Sequence, residues 1–113
     1  INQPVSHIAY NNNVWIVTGN NKIAKSIDGG NTWVKKWEVA NKGLYTVAGN
    51  ENTWVAVGYN GLILISNDNG DTWTQKASPT GVSLTDISYT NPAWIAGGIY
   101  GTILSSVNAV TWQ

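Results

Sequence analysis

Ser26-Ile27-Asp28-Gly29-Gly30-Asn31-Thr32-Trp33 returns forty residues later as Ser66-Asn67-Asp68-Asn69-Gly70-Asp71-Thr72-Trp73. A third copy, one residue shorter, reads Ser106-Val107-Asn108-Ala109-Val110-Thr111-Trp112. A second tryptophan series keeps the same step: Trp15, Trp54 and Trp94 stand in Val14-Trp15-Ile16-Val17, Trp54-Val55-Ala56-Val57 and Trp94-Ile95-Ala96-Gly97. Two independent anchors sharing one period of about 40 residues identify a tandem repeat.

Working outward from the anchors, each copy holds four short runs rich in β-branched and aromatic residues. The first runs are Val5 to Tyr10, Leu44 to Gly49 and Leu84 to Tyr89. The second carry Trp15, Trp54 and Trp94. The third are Lys22 to Ser26, Leu62 to Ser66 and Thr102 to Ser106. The fourth are assigned to Thr32-Trp33-Val34, Thr72-Trp73-Thr74 and Thr111-Trp112. Asn60-Gly61, Gly98 to Gly101, Gly29-Gly30 and Asn69-Gly70 supply turns that accept positive φ. No segment sustains a helical period. Four antiparallel strands per 40 residues are the pattern of a propeller blade. The reading is therefore all-β: a single repeat domain over 1–113, with three four-stranded antiparallel blades near 1–40, 41–80 and 81–113. A sandwich of about twelve strands is the alternative, but it needs no strict repeat.

Composition narrows the partners. Of the 113 residues 42% are apolar and only 11% charged, against about a quarter in ordinary domains. Six lysines balance six acids, and arginine is absent. No field of one sign exists to draw in nucleic acid or an anionic membrane. No apolar run approaches the roughly 20 residues of a membrane helix. Cysteine is absent, so disulfides and thiolate metal sites are excluded. The chain opens on Ile1 with no signal-peptide pattern, read as a mark of processing, excision or expression as a piece. The Asn, Gly, Thr and Ser content favours an extracellular or virion-associated setting.

Ser26-x-Asp28-x-Gly30-x-Thr32-Trp33 and Ser66-x-Asp68-x-Gly70-x-Thr72-Trp73 resemble the Asp-box, or BNR repeat. Gly58-Tyr59-Asn60-Gly61-Leu62-Ile63-Leu64 is similar to the glycine-framed hairpin that precedes that box in photosystem II assembly factor-like propellers. The resemblance spans nearly the whole chain and is specific for fold but not for function, since the motif occurs in sialidases, sorting receptors, assembly factors and secreted binding proteins. It implies a hairpin on the rim, away from the central ligand face. The third copy departs from it, with Asn108 for the Asp and no Gly. Physically, a short Asp accepts hydrogen bonds from its own loop, Gly permits left-handed backbone, and Trp buries area. Asp28 and Asp68 are accordingly structural, as are Asn108, Thr111 and Trp112.

These residues weigh against an enzyme. A sialidase resembling its family needs an arginine clamp for the substrate carboxylate, and there is no arginine. Another glycosidase needs two facing carboxylates. Of the six acids, Asp28 and Asp68 are spent in turns, Asp71 shares the second turn, and Glu38 and Glu51 read as solvated. Asp86 is left, on an inner-strand position equivalent to His7 and Thr46, where a propeller would line its channel. A calcium loop at Asp68-Asn69-Gly70-Asp71 lacks the distal Glu, Pro79 standing there instead, and His7 is alone. No cofactor or metal is expected. The six periodic tryptophans are assigned to the core. Tyr59 and Tyr100, in equivalent hairpins, and the off-register Trp37 are the aromatic ligand contacts expected, with Asp86 and His7 the polar ones.

Three blades cannot close a ring, since propellers use about four to eight. Open end faces would expose apolar surface, so the simplest closure is a homodimer of six blades; a fragment of a longer chain is the competing explanation. The function expected is a non-enzymatic binding or scaffold module, lectin-like at the hairpin tips, with a glycan or another protein as partner. A hydrolase using channel acids and an engineered or ancestral-type self-assembling repeat are the alternatives.

Overall fold

The computed structural model describes residues 4–113. It contains three antiparallel sheets, each built from consecutive strands. The first is β1 (Val5–Asn11), β2 (Val14–Gly19), β3 (Lys22–Ser26) and β4 (Val34–Glu38). The second is β5 (Leu44–Asn50), β6 (Thr53–Gly58), β7 (Ile63–Ser66) and β8 (Thr74–Gln75). The third is β9 (Leu84–Thr90), β10 (Ala93–Gly98) and β11 (Ile103–Ser106). The innermost strands β1, β5 and β9 pack on one another in sequence, so the sheets fan out as blades around one axis.

The third sheet has three strands where four were expected. Only the backbones of Ser105 and Gln113 pair beyond it, exchanging bonds of 2.9 and 3.1 Å. The fourth strands of the other blades also start later than Thr-Trp: at Val34 and at Thr74. The Thr amide ahead of each is already taken by the turn Asp, which leaves it unable to join a ladder.

Alternation sorts the core into two layers. Val14, Ile16 and Ile23 of the first blade meet Val47, Trp54, Ala56 and Leu64 of the second. Val55, Val57, Ile63 and Ile65 from the other face of the second blade meet Ile87, Trp94, Ala96 and Leu104 of the third. Trp54, Trp94 and Trp112 are buried, but Trp15, Trp33 and Trp73 are only half-buried. Trp15 occupies the Trp54 position on the first blade, whose corresponding face has no blade packed on it, so core membership does not extend to every periodic tryptophan.

A β-bulge recurs near the start of each inner strand, between Val5 and His7, Leu44 and Thr46, and opposite Gly97 and Gly98. Such a bulge re-aims the extra side chain. In the first blade that residue is Ser6, bonded to Thr18; in the second it is Tyr45.

Consecutive antiparallel strands put alternate connections at opposite ends. The turns between first and second strands lie with those between third and fourth. There Asn12 bonds Asn52 across 2.8 Å, Asn11 bonds the Glu51 carbonyl, and Asn69 bonds the Asn12 carbonyl, stitching adjacent blades. At the other end lie the turns between second and third strands, with the crossings from blade to blade.

Candidate ligand cleft at the crossing end

The repeated Ser-x-Asp turns are closed hydrogen-bond units at the first of these ends. Asp28 Oδ1 accepts from Ser26 Oγ at 2.8 Å and from the Thr32 amide at 2.9 Å, while Oδ2 accepts from the Thr32 hydroxyl. The Gly30 amide donates to Ser26 Oγ at 2.8 Å, and Trp33 Nε1 donates to the Gly30 carbonyl. Ser66, Asp68, Gly70, Thr72 and Trp73 reproduce the same bonds. In the third copy Asn108 Oδ1 accepts from the Val110 and Thr111 amides, and Trp112 Nε1 donates to the Ala109 carbonyl.

Bonds to the Thr32 hydroxyl and amide and to Ser26 hold the Asp28 carboxyl at about 2, below its ordinary 3.8. For Asp68 partial burial pushes upward, but the Thr72 and Ser66 bonds outweigh it and bring the value to about 2. Both oxygens of each carboxylate are engaged by the turn they close.

The inner-strand residues do not converge. His7 and Asp86 are both exposed, on β1 and β9, and β5 with buried Thr46 packs between those strands. Asp86 Oδ1 accepts from the Ile87 amide at 3.0 Å. Trp37 sits on β4 opposite Ile23, half-buried against the core between the first two blades. Tyr100 and Tyr59 are one position out of step. In each hairpin a single 3₁₀ turn follows the second strand, Tyr59–Gly61 and Ile99–Gly101. Tyr100 therefore matches Asn60, with left-handed φ of 58° and 56°, and is 89% exposed.

Tyr59 is set differently. Its ring packs against Tyr45, centroids 4.6 Å apart at 51°. Gly43 lies so close that a Cβ there would come within 2.9 Å of the ring, so glycine is required for this seat. The Tyr59 amide donates to the Gly43 carbonyl at 3.0 Å, and the adjoining Tyr59 phenol pushes the Tyr45 phenol up. Two cavities flank Tyr59, of about 490 Å³ and 260 Å³, with Asn41, Lys42 and Tyr59 as their shared wall. Asn20 and Asn21 complete the larger; Asn60, Gln75 and Lys76 contribute to the smaller.

From the sequence Lys42-Gly43 reads only as a crossing between copies, and none of Lys42, Gly43, Tyr45 and Lys76 is expected at the site. Their signal is departure from the repeat: the next blade has Val82, Ser83, Thr85 and Ile99 where this one has Lys42, Gly43, Tyr45 and Tyr59. Asp71, read as a turn acid, forms ion pairs between blades, 2.9 Å from Lys25 and 3.2 Å from Lys36. Glu38, read as solvated, pairs with Lys22 and Lys35. Among the described residues no group of three His, Cys, Asp or Glu is arranged to hold a metal ion.

No protein-family model matches the chain, and no curated protein does. Solved structures do. YCF48 from Cyanidioschyzon merolae superposes with a TM-score of 0.82 at 18% identity, over 98% of this chain and 39% of that one. YCF48 bound to a D1 peptide gives 0.82 at 21%, over 98% and 40%. The computationally designed Ika4 protein gives 0.80 at 10%, over 100% and 72%. An ancestral GH74 enzyme gives 0.76 at 20%, over 96% and 18%. The chain spans about two fifths of the length of the YCF48 structures it matches. At these identities the likeness establishes the fold: blade-like antiparallel sheets of the propeller kind.

Proposed function

We propose that this chain is a non-enzymatic propeller binding or scaffold module, and that its ligand surface is the cleft around Tyr59. The observation that carries the reading is the non-repeating set Lys42, Gly43, Tyr45 and Tyr59 gathered at one crossing. Positions that follow the repeat serve the fold; these depart from it together, with Lys42 and Tyr59 lining both cavities, Gly43 lining the larger and Tyr45 backing the Tyr59 ring. The Ser-x-Asp turns are read as Asp-boxes closing the opposite end. YCF48 bound to a D1 peptide is a precedent for a peptide held on this architecture. A glycan is the other ligand class, for which the neighbouring amide side chains offer hydrogen bonds. Hydrolysis is disfavoured by the state of the acids: four are engaged in turns or ion pairs. Glu51 and Asp86 remain, Glu51 in the turn after β5 and Asp86 near the other end of the sheets. Screening peptide and glycan arrays with the intact chain and with Tyr59→Ala tests this. Binding lost in Tyr59→Ala supports it; binding untouched by that change, or turnover of a glycan, counts against it.

The same reading includes self-association into six blades. By repeat register, the third blade offers Ile95 and Ile103 where the second offers Val55 and Ile63, and Ile103 is 72% exposed. The first blade offers Ile8 and Trp15 where the second offers Val47 and Trp54. These are the two halves of the contact that occurs twice within the chain. Light scattering should give twice 12.2 kDa, and Ile103→Asp should halve it. A monomeric intact chain refutes the ring.

A further inference from the structure

We infer that the cleft around Tyr59 takes an anionic ligand, an acidic peptide segment whose carboxylates pair with Lys42 and Lys76. This rests on the cleft being the ligand surface and goes further by naming the ligand's chemistry.

The lysines divide into two groups. Lys22 and Lys35 share Glu38, at 3.5 and 2.6 Å. Lys25 and Lys36 share Asp71, at 2.9 and 3.2 Å. Lys42 and Lys76 form no ion pair among the described residues, and both line the smaller cavity beside Tyr59. Among the described residues, a chain of zero net charge thus keeps its two unpaired lysines beside one cavity.

The repeat accounts for this arrangement without giving it a role in folding. Lys76 corresponds to Lys36, whose partner Asp71 reaches back from the following blade. The residue matching Asp71 in the third blade is Val110, so nothing reaches back to Lys76. Lys42 corresponds to Val82, and that crossing forms without a cation: the Ile99 amide bonds the Ser83 carbonyl as the Tyr59 amide bonds that of Gly43. The free acids do not serve. Glu51 lies in the turn at the far end, and Asp86 stands a blade further on.

The rest of the wall favours a polypeptide over a sugar. Asn41, Asn60 and Gln75 supply both donors and acceptors, the pair that a peptide backbone needs. Tyr59 is packed against Gly43 and Tyr45 and is 43% exposed. A pyranose platform needs an open aromatic face, which that packing curtails.

The test is fluorescence anisotropy with a labelled Glu-Gly repeat peptide at low salt, beside Gln-Gly and Lys-Gly peptides. The intact chain should bind the Glu peptide alone. Lys42→Ala/Lys76→Ala should weaken it about ten-fold, as two exposed charge pairs imply. Lys22→Ala/Lys35→Ala, which removes equal charge elsewhere, should leave it unchanged, and Lys42→Arg/Lys76→Arg should restore it. Circular dichroism melts check that each variant folds. Equal loss in both double-alanine variants means diffuse charge attraction and overturns the proposal. So does preference for a sulfated oligosaccharide. If a neutral peptide or glycan binds at Tyr59 while the Glu peptide does not, the charge assignment fails and the cleft stands. If no probe shifts amide resonances around Tyr59, both fail.

Discussion

Lys25 offers a quantitative test of how the first two blades hold together. Its side chain is 9% exposed on β3, and its ammonium bonds Asp71 Oδ1 of the next blade, a residue 52% exposed. The corresponding residues in the other blades are Ile65 and Ser105. Removing one partner of a fully buried ion pair costs about 3–5 kcal/mol. Water reaches Asp71, so Asp71→Ala should cost less, about 2 kcal/mol. Spread over a domain of this size, that lowers Tm by roughly 8 °C. Lys25→Ile removes the buried charge and installs the residue that the second blade already uses. It should be neutral or raise stability by up to about 1 kcal/mol. In the Lys25→Ile background Asp71→Ala should then cost no more than about 0.5 kcal/mol. Urea unfolding of the four proteins at one fixed protein concentration closes the cycle. The sign with pH follows too. The Lys25 hydrogen bond holds the Asp71 carboxyl below its ordinary range. The bridge therefore stabilises fully above about pH 4 and is lost as pH falls below that; Lys25→Ile should flatten this dependence. If Lys25→Ile costs as much as Asp71→Ala, or if Asp71→Ala costs the same in both backgrounds, the bridge is not acting as argued.

Two further outcomes follow from the turns. Gly30 and Gly70 both have φ near 90°, but a Cβ on Gly30 meets only Trp33 at 3.8 Å, whereas one on Gly70 comes 2.6 Å from Cδ1 of fully buried Ile16. Gly30→Ala should cost about 1–2 kcal/mol, the left-handed penalty alone, and Gly70→Ala about 2–4 kcal/mol with overpacking added; equal urea midpoints would contradict this. Asp28 and Asp68 have folded values of about 2 against an ordinary 3.8, so their stabilisation is complete above about pH 4 and lost as pH falls through 2. Melting temperatures should drop over that window and drop less in Asp28→Asn/Asp68→Asn; a flat profile in the intact chain counts against it.

The repeat, the inner three strands of each blade and the turn chemistry were legible because burial and backbone conformation restrict residue type at each place. The fourth strands were misplaced because Thr-Trp has strand propensity, while the Thr32 and Thr72 amides and the Trp33 and Trp73 indoles are committed to the turn. Tyr59 and Tyr100 do stand in equivalent hairpins, but aligning Gly58 with Gly98 matches Tyr100 to Asn60 and Tyr59 to Ile99. The ion pairs of Asp71 escaped notice because they join residues about 40 apart on adjacent blades, which no local pattern records. Lys42-Gly43 reads in sequence only as a crossing between copies, and neither it nor Tyr45 shows there as part of a site, because a repeat displays what the copies share and not where they differ.

The two surfaces through which blades touch are different, one led by a tryptophan and the other by branched aliphatics. Contact of this kind is head-to-tail and has polarity, unlike a self-complementary patch. Successive modules must all point the same way, and joining each one adds a fixed rotation rather than the closed two-fold pair of a self-complementary patch. Whether such a series ends on itself or grows into a filament is decided by the angle per step. A substitution between blades that altered that angle would change the shape of the assembly before it changed the shape of any one blade.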